Sequence, residues 1–168
     1  MGVLYDYFQA PDRATAVNWA IGPSGDWTNC LPLDEIGADW IDAKGTDPVI
    51  VLGELVGHAS SVPFGGRRDE PTVVWPDLTE WPYPRGADTD DQSPWHLGLT
   101  LQELPDSWRD TLAGIGDDAV PTVAAQWYGV EEARFADQLD AEYCARMFIA
   151  LARRAQAAGT RLYCRCSV

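Results

Sequence analysis

Lysine is almost missing from this 168-residue chain: Lys44 stands alone beside eleven arginines, and twelve bases face twenty-six acids. The resulting formal charge of −14 at neutral pH repels nucleic-acid phosphates and anionic lipid, so neither is expected as a partner. Histidine is scarce as well. His58 and His96 are the only side chains whose ordinary pKa suits proton transfer near neutrality, which narrows the scope for acid–base catalysis. No apolar run approaches the roughly 20 residues needed to span a bilayer. The opening MGVLYDYFQA lacks the basic start and long apolar stretch of a secretory leader, so the cytoplasm is the expected compartment. No P-loop, no G-x-G-x-x-G and no G-x-S-x-G elbow occurs, and the chemistries tied to those motifs are not expected.

Cysteine is sparse and poorly spaced for metal. Cys164 and Cys166 form a C-x-C, while Cys30 and Cys144 lie far off, so buried free thiols are expected rather than a zinc site or disulfides. No cofactor is expected. The cluster Asp88, Asp90 and Asp91 offers oxygen ligands but lacks the glycine and distal glutamate of an EF-hand loop, and it reads as a solvated acidic turn.

What the chain does have is apolar and aromatic content: 46% hydrophobic and 11% aromatic residues, enough for a core without staples. The stretch GVLYDYFQA alternates Val3, Tyr5 and Tyr7 with Leu4, Asp6 and Phe8, which predicts a first strand. Asp12 is placed to cap a short helix over RATAVNWA, with Val17 and Ile21 on one side. DWTNCLPLDEIGADWIDAKG reads as loop or short strands. Asp47 and Pro48 predict the start of a helix with Val49, Leu52, Leu55, Val56 and Ala59 along one stripe. TVVW predicts a short strand. Leu104, Trp108, Leu112 and Ile115 recur at helical spacing, closed by Gly116, and AVPTVAAQWYG fits either helix or strand. The clearest helix is LDAEYCARMFIALARRAQAAG. Leu139, Tyr143, Met147, Ala150 and Leu151 are expected inside, Gly159 is the C-cap, and Arg153 and Arg154 suit the negative end of the helix dipole. The chain ends in a strand alternating Leu162, Cys164 and Cys166 with Arg161, Tyr163 and Arg165. Together these predict one α+β domain over residues 1–168, with a small sheet holding both terminal strands, packed by three to five helices.

The candidate site is WPDLTEWPYPRGADTDDQSPWHL, residues 75–97, where aromatics and acids crowd a segment with neither helical nor strand period. Tryptophan buries a large rigid surface at small entropic cost and is enriched at binding hot spots. Trp81, Tyr83, Asp88, Asp90, Asp91 and Trp95 are therefore the expected binding residues, rings for contact and carboxylates as a rim for a basic protein partner. Trp75 and Trp95 adjoin apolar runs and are expected to fold back onto the core, with Trp81 and Tyr83 displayed between prolines. The alternative is a hydrolase using carboxylates and His96 in a cleft beneath the same loop.

The termini resemble those of the YfbM-like family, small bacterial proteins whose activity is not established. The resemblance rests on the MGVLYDYF opening and the ending FIALARRAQAAGTRLYCRCSV, in which Ala155, Ala157, Ala158 and Gly159 form the turn into the last strand. HLGLTLQELPDSWRDTL is similar to that family's Leu-Thr-x-x-Glu helix start, and Trp95-His96 keeps part of its Lys-x-Trp-His element without the lysine. The resemblance implies a single α+β domain, carries over no catalytic residue, and permits an immunity-type role against a toxin.

Overall fold

The computed structural model of the chain describes residues 3–43, 45–62, 69–78 and 98–167. Its centre is the pairing of the two terminal strands. Strand β1, Leu4–Ala10, runs antiparallel to β5, Arg161–Ser167, over seven residues from Leu4↔Ser167 to Ala10↔Arg161. Three shorter strands complete the sheet: β2 (Trp40–Asp42), β3 (Thr72–Trp75) and β4 (Thr100–Glu103). The order is β2-β1-β5-β4-β3, with every neighbour antiparallel. This is the expected α+β arrangement with both terminal strands in one sheet.

The central strands carry apolar side chains on both faces because both faces are covered. Five helices follow the chain order α1 (Arg13–Ala20), α2 (Val51–Ser60), α3 (Asp106–Ala113), α4 (Val120–Tyr128) and α5 (Gln138–Ala158). On one face Tyr7, Leu162, Cys164 and Cys166 pack beneath α2 to α5, with the Tyr7 ring edge-on to Phe148 at 4.8 Å. On the other, Phe8, Ala10, Leu101 and Tyr163 meet α1, Ile21 and Leu33, and Phe8 stacks on Tyr163 at 5.7 Å. A short helix alone cannot cover five strands. The half-buried rings of Trp19, Trp27, Trp40 and Trp75 fill out that thin second layer. A bulge between Val73 and Trp75 turns both Val74 and Trp75 toward it.

Local chemistry sets the helix ends. The Asp12 carboxylate accepts from the Thr15 amide at 2.8 Å, which caps α1 as expected. The Asp47 carboxylate accepts from the amides of Val49 and Ile50, so it closes a lead-in turn, and α2 proper begins at Val51. Gly159 takes φ of +66° and ends α5, as the sequence predicts.

Two expectations are corrected. The run from Leu99 to Glu103 is not a helix start: Thr100–Glu103 forms β4, and α3 begins only after Pro105 and ends at Gly114 rather than Gly116. Leu104, Trp108, Leu112 and Ile115 are all buried nonetheless. The second correction concerns α5. Leu139 is 74% exposed and Tyr143 64% exposed, and Ala150 also faces solvent, where all three were expected inside. The buried face is Ala141, Ala145, Phe148, Ile149, Leu151, Ala152 and Ala155. The helix lies on the sheet between α3 and α4, and four alanines let its backbone approach closely there.

Candidate binding surface

The exposed face of α5 grows out of a tightly fixed turn. Trp127, near the end of α4, is fully buried; its indole N–H donates to the Val51 carbonyl at 2.7 Å, and its ring meets Phe135 at 4.5 Å and Phe148 at 6.3 Å. With Trp127 turned inward, its neighbour Tyr128 is left 44% exposed. The chain then makes a 3-10 turn at Glu131–Ala133 and passes Arg134 at φ of +51°. Asp137 caps α5 by accepting from the Asp140 amide at 2.9 Å, while the Asp140 carboxylate accepts from the Ala136 amide at 3.0 Å. Leu139 and Tyr143 follow one helical turn apart on the outer side.

Residues 128–143 carry Glu131, Glu132, Asp137, Asp140 and Glu142 against Arg134, five acids to one base. Glu131, Glu132 and Asp137 are exposed. Glu142 pairs with Arg146 at 2.6 Å, one turn along the helix. The turn thus displays a leucine and two tyrosine rings beside exposed carboxylates. Large apolar groups held on rigid elements and rimmed by charge are what a protein–protein contact uses.

The loop expected to hold the site lies outside the described residues, and with it Trp81, Tyr83, Asp88, Asp90, Asp91, Trp95 and His96. Its first residue is described: Trp75 packs on the second-layer cluster, in line with the expectation that this end folds back onto the core. The same inward role holds for each of the six described tryptophans. Trp19, Trp27, Trp40 and Trp75 serve the second layer, while Trp108 and Trp127 are buried under the helices. The aromatics that α4 and α5 display are tyrosines. Sequence reasoning passed over Tyr143 because its spacing with Leu139 and Met147 looks like a core stripe; the competing alanine stripe was the available signal.

His58 sits in the last turn of α2 and lines a shallow hollow of about 350 Å³ with Glu54, Gly57, Ser61, Val62 and Gln126. Serine, histidine and glutamate side chains all reach it, yet no hydrogen bond among the described residues links them into a relay. A second hollow, of about 280 Å³, is lined by Asp69, Glu70, Thr72, Glu103, Leu104 and Pro105. Glu103 there is committed to structure: it accepts from Arg13, Arg161 and the Tyr163 hydroxyl. Burial pushes its carboxyl up, but the Arg13 and Tyr163 donors and the Arg161 charge outweigh that and hold it below the usual range.

The four cysteines are free thiols. Cys30 lies in the second layer, where it donates to the Ala20 carbonyl and meets the Arg165 guanidinium. Burial, then the charge of Asp140, raises the Cys144 thiol to about 11. Among the described residues, no group of three or more His, Cys, Asp or Glu side chains is placed to hold a metal, and no helix is long and apolar enough to cross a membrane. Comparison with models of known families, with curated proteins and with solved structures finds no match.

Proposed function

We propose that this chain is an acidic, non-enzymatic protein-binding domain, in its most concrete form an immunity-type inhibitor of a basic toxin or nuclease. The observation that carries the reading is the α4–α5 turn, where Leu139 and Tyr143 stand mostly in water beside Glu131, Glu132 and Asp137. Both side chains lie outside the core, so a partner can cover them without disturbing the fold. The −14 charge supports the same reading, since a field of that sign speeds encounter with a cationic partner while apolar contacts slow release. Trp81, Tyr83, Asp88, Asp90, Asp91 and Trp95 are assigned to a second contact region of the same chemistry. The terminal resemblance to the YfbM-like family is compatible with this role, and the cytoplasm is the compartment that fits its free thiols.

The test is direct. Basic proteins encoded beside the gene are purified and titrated against the full chain by calorimetry at low and high salt. Binding that weakens with salt and falls about tenfold or more in Tyr143→Ala or Leu139→Ser supports the assignment. Binding indifferent to salt, to those two changes and to Trp81→Ala refutes it, as does the absence of binding by any such protein.

A further inference from the structure

The C-x-C of the last strand is a built pair rather than two scattered core thiols. Cys164 and Cys166 occupy alternate positions of β5, so both point to the helical face, and their Sγ atoms stand 3.8 Å apart. The pair is asymmetric. Cys164 is fully buried opposite Tyr7, whose hydroxyl is committed to the Thr46 carbonyl at 2.6 Å. Cys166 lies nearer the strand end, opposite Tyr5 on one side and Thr100 on the other, and is 7% exposed.

Polar side chains converge on the outer sulfur. The Gln102 amide donates to the Cys166 Sγ at 3.7 Å, and the Thr100 hydroxyl and the Cys164 thiol supply further hydrogen bonds. A buried neutral thiol needs one partner at most, whereas a thiolate is stabilised by several donors. The titration follows: the Cys164 hydrogen bond, opposed by burial, brings the Cys166 thiol below its ordinary value, while burial pushes Cys164 well up. The acid acting on both is Asp47, which raises each thiol by its charge but whose carboxylate is occupied by the amides of Val49 and Ile50.

We propose that Cys164 and Cys166 form a thiol–disulfide exchange site for low-molecular-weight disulfides, with Cys166 the attacking sulfur and Cys164 the resolving one. The Cys166 thiol gives its proton to water and its sulfur attacks one sulfur of RSSR, forming Cys166–S–SR and releasing a thiolate that takes up a proton. The Cys164 sulfur then bonds to the Cys166 sulfur, the S–SR bond breaks, and the proton of the Cys164 thiol passes to the second thiolate as it leaves. Two protein thiols are oxidised and one small disulfide is reduced to two thiols. Two residues of antiparallel strand rise about 6.8 Å, the upper end of the Cα separation a disulfide accepts, so closure tightens the pleat at Arg165. That residue holds Asp6 on the opposite face, which ties the state of the pair to the second layer.

The test uses the native full chain incubated with glutathione disulfide, then quenched and digested with trypsin without reduction. Trypsin cuts after Arg161 and Arg165, between the two cysteines, so the new bond keeps residues 162–165 joined to residues 166–168. The linked peptide pair should accumulate, with Cys166 reacting about tenfold or more faster than Cys144. Cys164→Ser should stop at a glutathione adduct on Cys166, and Cys166→Ser should leave Cys164 unmodified. The proposal is overturned if Cys166 stays unmodified while Cys30 or Cys144 reacts, or if its adduct persists in the wild type without giving the linked pair. The wild-type result decides alone should a serine variant not fold. The site is independent of the docking surface, so either assignment can fail without the other.

Discussion

Which side of α5 faces the core can be decided by stability alone. Leu139 is 74% exposed, so only about a quarter of its surface leaves water on folding. Scaled from the 1.5–3 kcal/mol of a fully buried large side chain, truncating it to alanine should cost about 0.5 kcal/mol. Tyr143 has no ring partner among the described residues and is 64% exposed; the alanine variant should lose under about 1 kcal/mol. Phe148 lies on the other side, 2% exposed, its ring edge-on to Tyr7 at 4.8 Å and to Trp127 at 6.3 Å. Phe148→Ala should cost about 3–5 kcal/mol, the range for deleting a large aromatic from a packed core. The difference of about 2–4.5 kcal/mol amounts, for a chain of this size, to a gap of roughly 4–18 °C in Tm. Urea unfolding followed by tryptophan fluorescence gives both midpoint and slope, and equal slopes license the comparison. Should Tyr143→Ala and Leu139→Ala each lose more than about 2 kcal/mol, the helix is rotated from the position described, and the proposed binding surface falls with it.

Two further outcomes probe the ion pairs. Asp6 and Arg165 meet at 2.6 Å with side chains only 13% and 16% exposed, and Arg165 also reaches the Ala20 carbonyl; Arg165→Ala should cost about 3 kcal/mol by stranding the carboxylate, and adding Asp6→Ala should recover part of that in urea titrations. Arg154 holds Asp39 by two bonds of 2.7 Å and lowers its carboxyl. A folded-state pKa depressed below the unfolded value contributes stability above the unfolded pKa and loses it as pH falls through the folded one. Arg154→Ala should therefore shift the urea midpoint at pH 7 and shift it progressively less below about pH 4, the ordinary range of an aspartate; an unchanged gap at pH 2.5 would refute the pairing.

The parts of the fold legible in the sequence were those where one rule acted alone. The β1 and β5 segments alternate over seven residues with apolar groups on both sides, and only a central strand buries both. The acid at position 12 and the glycine at 159 mark helix ends by chemistry that packing seldom overrides. Where two rules competed, the louder one misled. Leu104, Trp108, Leu112 and Ile115 recur at helical spacing, yet Pro105 disfavours helical geometry at Leu104, so the helix starts only after it and the segment before it pairs as β4. In α5 the large residues Leu139 and Tyr143 outweigh alanine on any hydrophobicity scale, but a helix seated on a sheet between two others needs small side chains at the contact. The same competition decides which aromatic rings the fold draws inward. Tryptophan density draws attention to one segment, while the thin second layer draws four of these rings inward from positions 19, 27, 40 and 75, a convergence only the tertiary fold creates. Among the described residues the displayed aromatics are Tyr128 and Tyr143, and Tyr143 stands on a helix whose core face is already satisfied by alanine, the surplus on which its proposed role rests.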